Sequence, residues 1–350
     1  MSLGSICSFS NFTGSSFLPL ITKADDIFTD VSNGGAAYTV YRFTSNGQLA
    51  LDKAATIYVL SVGGGGGGGK PELNGGGGGG AGGMVQKVIT LANPEFLCIR
   101  IGSGGLQNTN GMDTSVHFNR ENTNDITSIG GGSGGYDKSG SLQGKQGNSG
   151  GSGGGNTRDS GPLKGGKGTA NQGKDGGKTD TNDLAGASGG GGAGFIGGNG
   201  GNTKPGTNDR SGQYSGNGGD GMRTTLDGIS IKFPNLYWAG GGGGATQGND
   251  TTMGGNNYTN DSANTTANSS SNGFTAGSGG KGGGGGGGGG AVQSTGDSSE
   301  NDSSGSNGGN GGINTGGGGG ASGYSINDKT GVAGAGGSGI VLIAILSSEL

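Results

Sequence analysis

The stretch ATIYVLSVGGGGGGGKPELNGGGGGGAGG, residues 55–83, decides how the chain has to be read. A strand-like run, 55–62, feeds straight into seven glycines (63–69), turns through Lys70-Pro71-Glu72-Leu73-Asn74 and returns as six more glycines (75–80) before Ala81-Gly82-Gly83. A glycine inside an ordered segment costs roughly 0.5–1 kcal/mol relative to alanine. With 99 glycines in 350 residues, the chain is either disordered or held by an arrangement that only glycine permits. The left-handed three-residue helix of the polyproline II type is such an arrangement, rising about 3.1 Å per residue without internal hydrogen bonds. Its N–H and C=O groups all point outward, and buried backbone groups need partners, so bare polyglycine helices can stand side by side and bond laterally. The glycines are consecutive, without the Gly-X-Y period of collagen. The sequence therefore predicts a packed bundle of single-chain polyglycine II helices.

Composition limits the alternatives. Only 27% of residues are hydrophobic and 5% aromatic, too few for the core of an ordinary two-domain chain of this length. A glycine-rich chain without a period otherwise reads as low-complexity or disordered. The formal net charge is −4, from 20 basic and 24 acidic residues, which gives no reason to expect nucleic acid or a charged membrane surface as partner. No stretch reaches the roughly 20 apolar residues of a membrane span, and no signal peptide is evident. Cys7 and Cys98 make neither a disulfide framework nor a metal spacing, and Cys98 reads as a small buried residue.

Outward from the glycine pair, the expected fold is mostly irregular and β: a small N-terminal β module plus a C-terminal strand, capping polyglycine II helices linked by polar loops. Residues 1–36, with apolar positions but no period, read as a docking or assembly arm. Residues 37–105 read as the β module with the first glycine helices. Within it Ser45-Asn46-Gly47-Gln48 predicts a hairpin turn, and Asn93-Pro94-Glu95 a turn between the strands 84–91 and 97–101. Residues 106–338 read as the bundle with variable loops, and 339–350 as a buried closing strand on the N-terminal module. Tight links such as 70–74 are expected at one end of the bundle and the long polar insertions at the other. The scaffold glycines include Gly63, Gly69, Gly75, Gly80, Gly240, Gly282 and Gly290.

Motifs for chemistry fail on inspection. Residues 64–70 satisfy G-x-x-x-x-G-K after a strand, but Pro71 stands where a P-loop needs Ser or Thr for Mg²⁺, and no helix follows to receive a phosphate. The run Asn217-Gly218-Gly219-Asp220-Gly221-Met222 resembles one copy of a calcium-binding nonapeptide, which works only in tandem. His117 is the sole histidine, so neither a His-ligated zinc site nor a triad extends beyond it; beside Phe118 and Arg120 it reads as a loop residue. The lysines between 138 and 178 alternate with acids and read as a solvated mixed-charge stretch. No enzyme, cofactor or metal site is expected. Phe233, Tyr237 and Trp238 read as a cap on the bundle, whereas Tyr214, Tyr258 and Phe274, in Asn/Ser/Thr-rich insertions, make with His117 the candidate recognition residues.

The frame Tyr38-Thr39-Val40-Tyr41-Arg42-Phe43-Thr44-Ser45-Asn46-Gly47, then Ile57-Tyr58-Val59-Leu60-Ser61-Val62 into the two glycine tracts, resembles the glycine-rich domain found in bacteriophage tail proteins and large DNA viruses. Ile99-Arg100-Ile101-Gly102, Tyr237-Trp238-Ala239-Gly240 and Gly336-Gly337-Ser338-Gly339-Ile340-Val341 fit the same pattern. Phage tail-fibre tip adhesins are similar in binding hosts through variable loops on polyglycine II bundles, although no stretch here matches their attachment domain. The resemblance implies a structural component of the virion, of capsid or tail, at the particle surface, held to other virion proteins through residues 1–36 and the β module. It equally admits an adhesin whose polar loops bind a host-surface glycan or protein receptor.

Overall fold

Period-two alternation builds the first part of the molecule. In the computed structural model, which describes residues 23–33, 35–71, 75–120, 125–137, 146–157, 164–179, 186–201, 215–224, 237–245, 278–283, 307–323 and 331–350, eleven strands are assigned: β1 (Asp26–Asn33), β2 (Ala36–Phe43), β3 (Gly47–Leu51), β4 (Ala55–Val62), β5 (Met84–Leu91), β6 (Glu95–Arg100), β7 (Thr114–Phe118), β8 (Ile126–Ser128), β9 (Met222–Arg223), β10 (Tyr237–Trp238) and β11 (Ile340–Leu346). They form a five-stranded sheet in the order β1-β2-β11-β4-β5, a four-stranded sheet β3-β6-β7-β8 and a β10-β9 ribbon. All named pairs are antiparallel. The two larger sheets face each other across a core that includes Phe43, Leu49, Ile57, Val59, Leu97, Ile99, Val116, Phe118, Ile343 and Ile345. Each such side chain contributes about 1.5–3 kcal/mol by leaving water.

The closing strand β11 is the centre of the first sheet. Ile343 stands opposite Tyr41 of β2 and Val59 of β4. Its unbroken apolar run has two destinations: Val341, Ile343 and Ile345 face the second sheet, while Ile340 and Leu342 join Leu60, Val62, Met84, Ala193 and Trp238 on the other face. A strand covered on both sides has no polar alternate positions. Trp238, 3% exposed, thus wedges between sheet and glycine bundle, and its indole N–H donates to Thr224 Oγ1 at 2.9 Å. Phe233 lies outside the described residues.

Four expectations need correction. Asn46-Gly47 is not a hairpin turn: β2 is already flanked by β1 and β11, so the chain crosses there into the second sheet, where β3 pairs with β6. Gly47 is required by close approach, since a Cβ would stand 2.3 Å from the Lys23 carbonyl oxygen, and the Asn46 side chain accepts the Ile101 N–H at 2.9 Å. The turn after β5 is likewise a crossing, because β5 pairs with β4 and β6 with β3 and β7. The module also extends further than 37–105: β1 lies in the stretch read as a docking arm, and β7 and β8 in a stretch read as polar insertion. Cys98 is not a simple thiol; it is disulfide-bonded, on the face of β6 opposite to core residues Leu97 and Ile99.

Beyond the strands the expected lattice is present. Gly63, Gly66 and Gly69 donate their N–H groups to the carbonyls of Gly83, Gly80 and Gly77, Gly64 and Gly67 to Met112 and Thr109, and Gly65 and Gly68 to Gly337 and Gly334. Their carbonyls accept in the same period of three: Gly64 and Gly67 from Gly131 and Gly134, Gly65 and Gly68 from Gly105 and Asn108, Gly66 and Gly69 from Gly319 and Ser322. These bonds measure 2.8–3.2 Å. Rod 63–69 is therefore surrounded by six neighbours in hexagonal packing, and at about 3.1 Å per residue it is about 22 Å long. Among the described glycines, positive φ is confined to Gly35, Gly282, Gly283 and Gly316, so the rods have the left-handed sense of polyproline II. A Cβ on Gly66 would lie 2.2 Å from the Gly132 oxygen, and one on Gly79 2.2 Å from that of Gly66. That distance is inside van der Waals contact, which is why the sequence has no side chain there. Gly282 departs from the expectation: at φ +93, next to Gly283 at +92, it forms a turn rather than a rod. Gly290 lies outside the described residues.

Candidate functional site

Because β4 runs into rod 63–69, β6 into 102–105 and β8 into 130–137, while rods 76–83, 109–113 and 331–339 run into β5, β7 and β11, the sandwich sits on one end of the lattice. Lateral registers then give each rod a direction. Rods 130–137, 150–157, 173–179, 197–201, 239–245 and 317–323 run away from the sandwich, and rods 146–149, 164–168, 186–193, 215–221, 278–281 and 331–339 return. Asp137 and Gln146, Thr157 and Lys164, Thr179 and Gly186, Gly201 and Ser215, Ala245 and Ser278, and Gly323 and Gly331 accordingly lie at the far end. The connecting segments 138–145, 158–163, 180–185, 202–214, 246–277 and 324–330 all begin and end there. This loop-bearing end is the candidate site.

The link after Gly69 is found at the same end as these insertions, not opposite them as expected. Lys70 N–H bonds to Asn108 Oδ1 at 2.7 Å there, tying the 63–69 rod to the turn at 106–109, whose Leu106 is exposed. One described turn at the sandwich end is 169–173. Thr169 accepts the N–H groups of Gln172 and Gly173, and Gln172 clamps the lattice to β8 by accepting the Ile129 N–H at 2.9 Å and donating to the Thr127 carbonyl at 3.0 Å.

Tyr214, Tyr258 and Phe274 lie outside the described residues, although Ser215 and Ser278, which border their segments, are at the far end. His117 is elsewhere. It is a strand residue of β7, not a loop residue, opposite Cys98, and its Nδ1 lies 2.9 Å from Asp125 Oδ2 while Asp125 Oδ1 accepts the Phe118 N–H. The alternation of Thr114, Val116 and Phe118, all buried, was the overlooked strand signal. His117 therefore belongs to the sandwich and does not join the other candidates.

The backbone of the P-loop-like stretch has no free N–H for a phosphate, because each from Gly63 to Lys70 is already donated to a neighbour. Among the described residues no group of three or more His, Cys, Asp and Glu converges as a metal site, and no helix is long and apolar enough to cross a membrane. In the nonapeptide-like run, Asn217 Oδ1 accepts the Ser278 N–H and Asp220 Oδ1 the Lys281 N–H, both at 2.9 Å. The same device recurs where Asn307 and Asn310 accept from Val332 and Ala335 at 2.7 and 2.9 Å, and where Asn110 and Asp113 accept from Ser133 and Gly130 at 2.9 and 2.7 Å. Asn/Asp pairs three residues apart thus replace backbone acceptors along the rods. The spacing N-x-x-N/D within glycine tracts is the signal that would have revealed them.

No protein-family model matches the sequence, and no curated protein matches it.

Proposed function

We propose that the protein is a structural component of a viral particle, attached through its β-sandwich end and presenting the far end of the glycine lattice outward. The observation that carries this reading is the polarity of the bundle: six polar insertions leave and re-enter the rods at the end opposite the sandwich. Rigid scaffolds that gather long loops at one end are the arrangement binding surfaces use. The same polarity favours the second reading, an adhesin whose insertions contact a host-surface glycan or protein. Immunogold imaging of intact particles with an antibody against this chain tests the first reading: surface labelling of particles is expected, and its absence on particles from cells that express the chain contradicts it. The adhesin reading is tested by shortening 247–272. Lost attachment with intact particle incorporation supports it, and unchanged attachment removes it.

A further inference from the structure

Four Asn-Gly steps on the rods share one arrangement. Ser278 donates its N–H to Asn217 Oδ1 at 2.9 Å, and its carbonyl accepts the Gly218 N–H at 2.7 Å. Val332 is held in the same way by Asn307 and Gly308 at 2.7 and 2.9 Å, Ala335 by Asn310 and Gly311 at 2.9 and 2.8 Å, and Lys178 by Asn199 and Gly200 at 2.9 and 3.0 Å. Asp220 and Gly221 hold Lys281 likewise, at 2.9 and 2.8 Å. In each case a side-chain oxygen and the N–H that follows it in sequence grip both backbone groups of a single residue on a neighbouring rod. The four asparagines are exposed, so burial does not keep water or base from them.

An exposed Asn-Gly step reacts with itself. The glycine nitrogen, once deprotonated, attacks Asn Cγ; the N–Cγ bond forms, the carboxamide nitrogen leaves as ammonia, and water opens the resulting succinimide to aspartate or isoaspartate. Glycine favours this closure because it has no side chain beside the attacking nitrogen and leaves the backbone free to swing. The grip opposes both requirements. Deprotonating the Gly311 nitrogen would set an anion against the Ala335 carbonyl oxygen that now accepts its proton, and the Ala335 N–H holds the Asn310 carboxamide on the neighbouring rod. We propose that these asparagines are latent deamidation sites which the lattice keeps closed, each guarded by the one residue that it grips. An isoaspartate adds a methylene to the main chain and would carry the following N–H off that residue, so suppressing the reaction also preserves the register of the rods. The inference concerns the rods alone and does not depend on where the protein resides.

Peptide mapping by mass spectrometry tests this on the full chain after incubation at mildly alkaline pH, with enzymatic methylation of isoaspartate as a second readout. Asn199, Asn217, Asn307 and Asn310 should convert at least about tenfold more slowly than in the same chain unfolded in guanidinium chloride, as two hydrogen bonds per site imply. Ala335→Pro then removes one of those bonds alone. Proline fits the polyproline II backbone and keeps the carbonyl that accepts the Gly311 N–H, but has no N–H to give Asn310. Asn310 should deamidate about two- to tenfold faster in this variant, the equivalent of one hydrogen bond, while Asn199 and Asn217 in the same molecule keep their native rates and thereby report that the lattice is closed. Val332→Pro should do the same for Asn307. Folded-state rates equal to those of the unfolded chain, native rates at Asn310 and Asn307 in their proline variants, or equal acceleration of all four sites in both variants would each overturn the proposal.

Discussion

Gly79 donates its N–H to Gly319 at 2.8 Å, and a Cβ in its place would meet the Gly66 oxygen at 2.2 Å. Gly79→Ala must therefore push rod 63–69 aside and break several lateral bonds, each worth a net ~0.5–1.5 kcal/mol. A loss of about 3 kcal/mol or more is expected in thermal or denaturant unfolding, against under about 0.5 kcal/mol for Ser103→Ala at an exposed position. Equal stability of the two variants would contradict the steric account. Asn310 supplies an acceptor rather than space. Asn310→Ala leaves the Ala335 N–H without its partner and should cost about 1 kcal/mol, whereas Asn310→Asp keeps an acceptor and should cost less. Asp25 gives the pH dependence: slight burial pushes its carboxyl up, but hydrogen bonds from Thr44 and Ser45 outweigh this and hold it below the ordinary value. Its stabilisation is complete above the unfolded aspartate pKa of about 3.9 and is lost as pH falls through the lower folded value. Asp25→Asn should flatten that part of the acid-unfolding profile; an unchanged profile would show that the site does not contribute. The need for glycine was legible in the sequence from the tracts alone. The Asn and Asp acceptors were not, because a polar residue in a glycine-rich segment looks like loop until the neighbouring rod that needs its oxygen is known.

Elements were read more reliably than their partners. The strands containing 57–62, 84–91, 97–100 and 340–345 follow from β-branched residues at strand spacing, and β11 was legible as buried because it has no polar alternates. Partner choice was not legible: Asn46-Gly47 carries a hairpin sequence, yet a hairpin would place β3 where β11 arrives from the other end of the chain, and the long-range contact prevails. β7 was missed because its inward Thr114, Val116 and Phe118 are separated by serine and histidine amid asparagine-rich sequence. At the junction of the two parts, Trp238 fills the space between Leu60, Leu342 and the alanines of the lattice. Trp238→Ala should cost about 3–5 kcal/mol, as such core truncations do. As the only tryptophan, it also reports on the junction directly: its native emission should be blue-shifted and move red only with global unfolding. An earlier red shift would mean that sheet and lattice separate first.

At the scale of the whole molecule, residues 63–69 are enclosed by segments drawn from 77–83 to 334–337, so the lattice closes only when almost the entire chain is present. Such non-local contacts make one cooperative unit of the described rods. Shortening 247–272 should leave the melting temperature within about 2 °C, since Gly280 already bonds to Gly241 across the two rods and changes outside packed elements have small effects. A large drop would show that this segment is part of the lattice. The candidate recognition aromatics were legible only as composition, because three of them sit in segments whose position is defined by the rods on either side and not by any local pattern. The lateral hydrogen bonds themselves can be observed. Scalar couplings across hydrogen bonds, measured by NMR on uniformly ¹³C,¹⁵N-labelled protein, should connect the Gly65 amide nitrogen to the Gly337 carbonyl carbon, Gly66 to Gly80, and Gly67 to Thr109, with amide exchange at these glycines limited by global unfolding. Fast exchange and no coupling at these three amides would contradict the polyglycine II lattice.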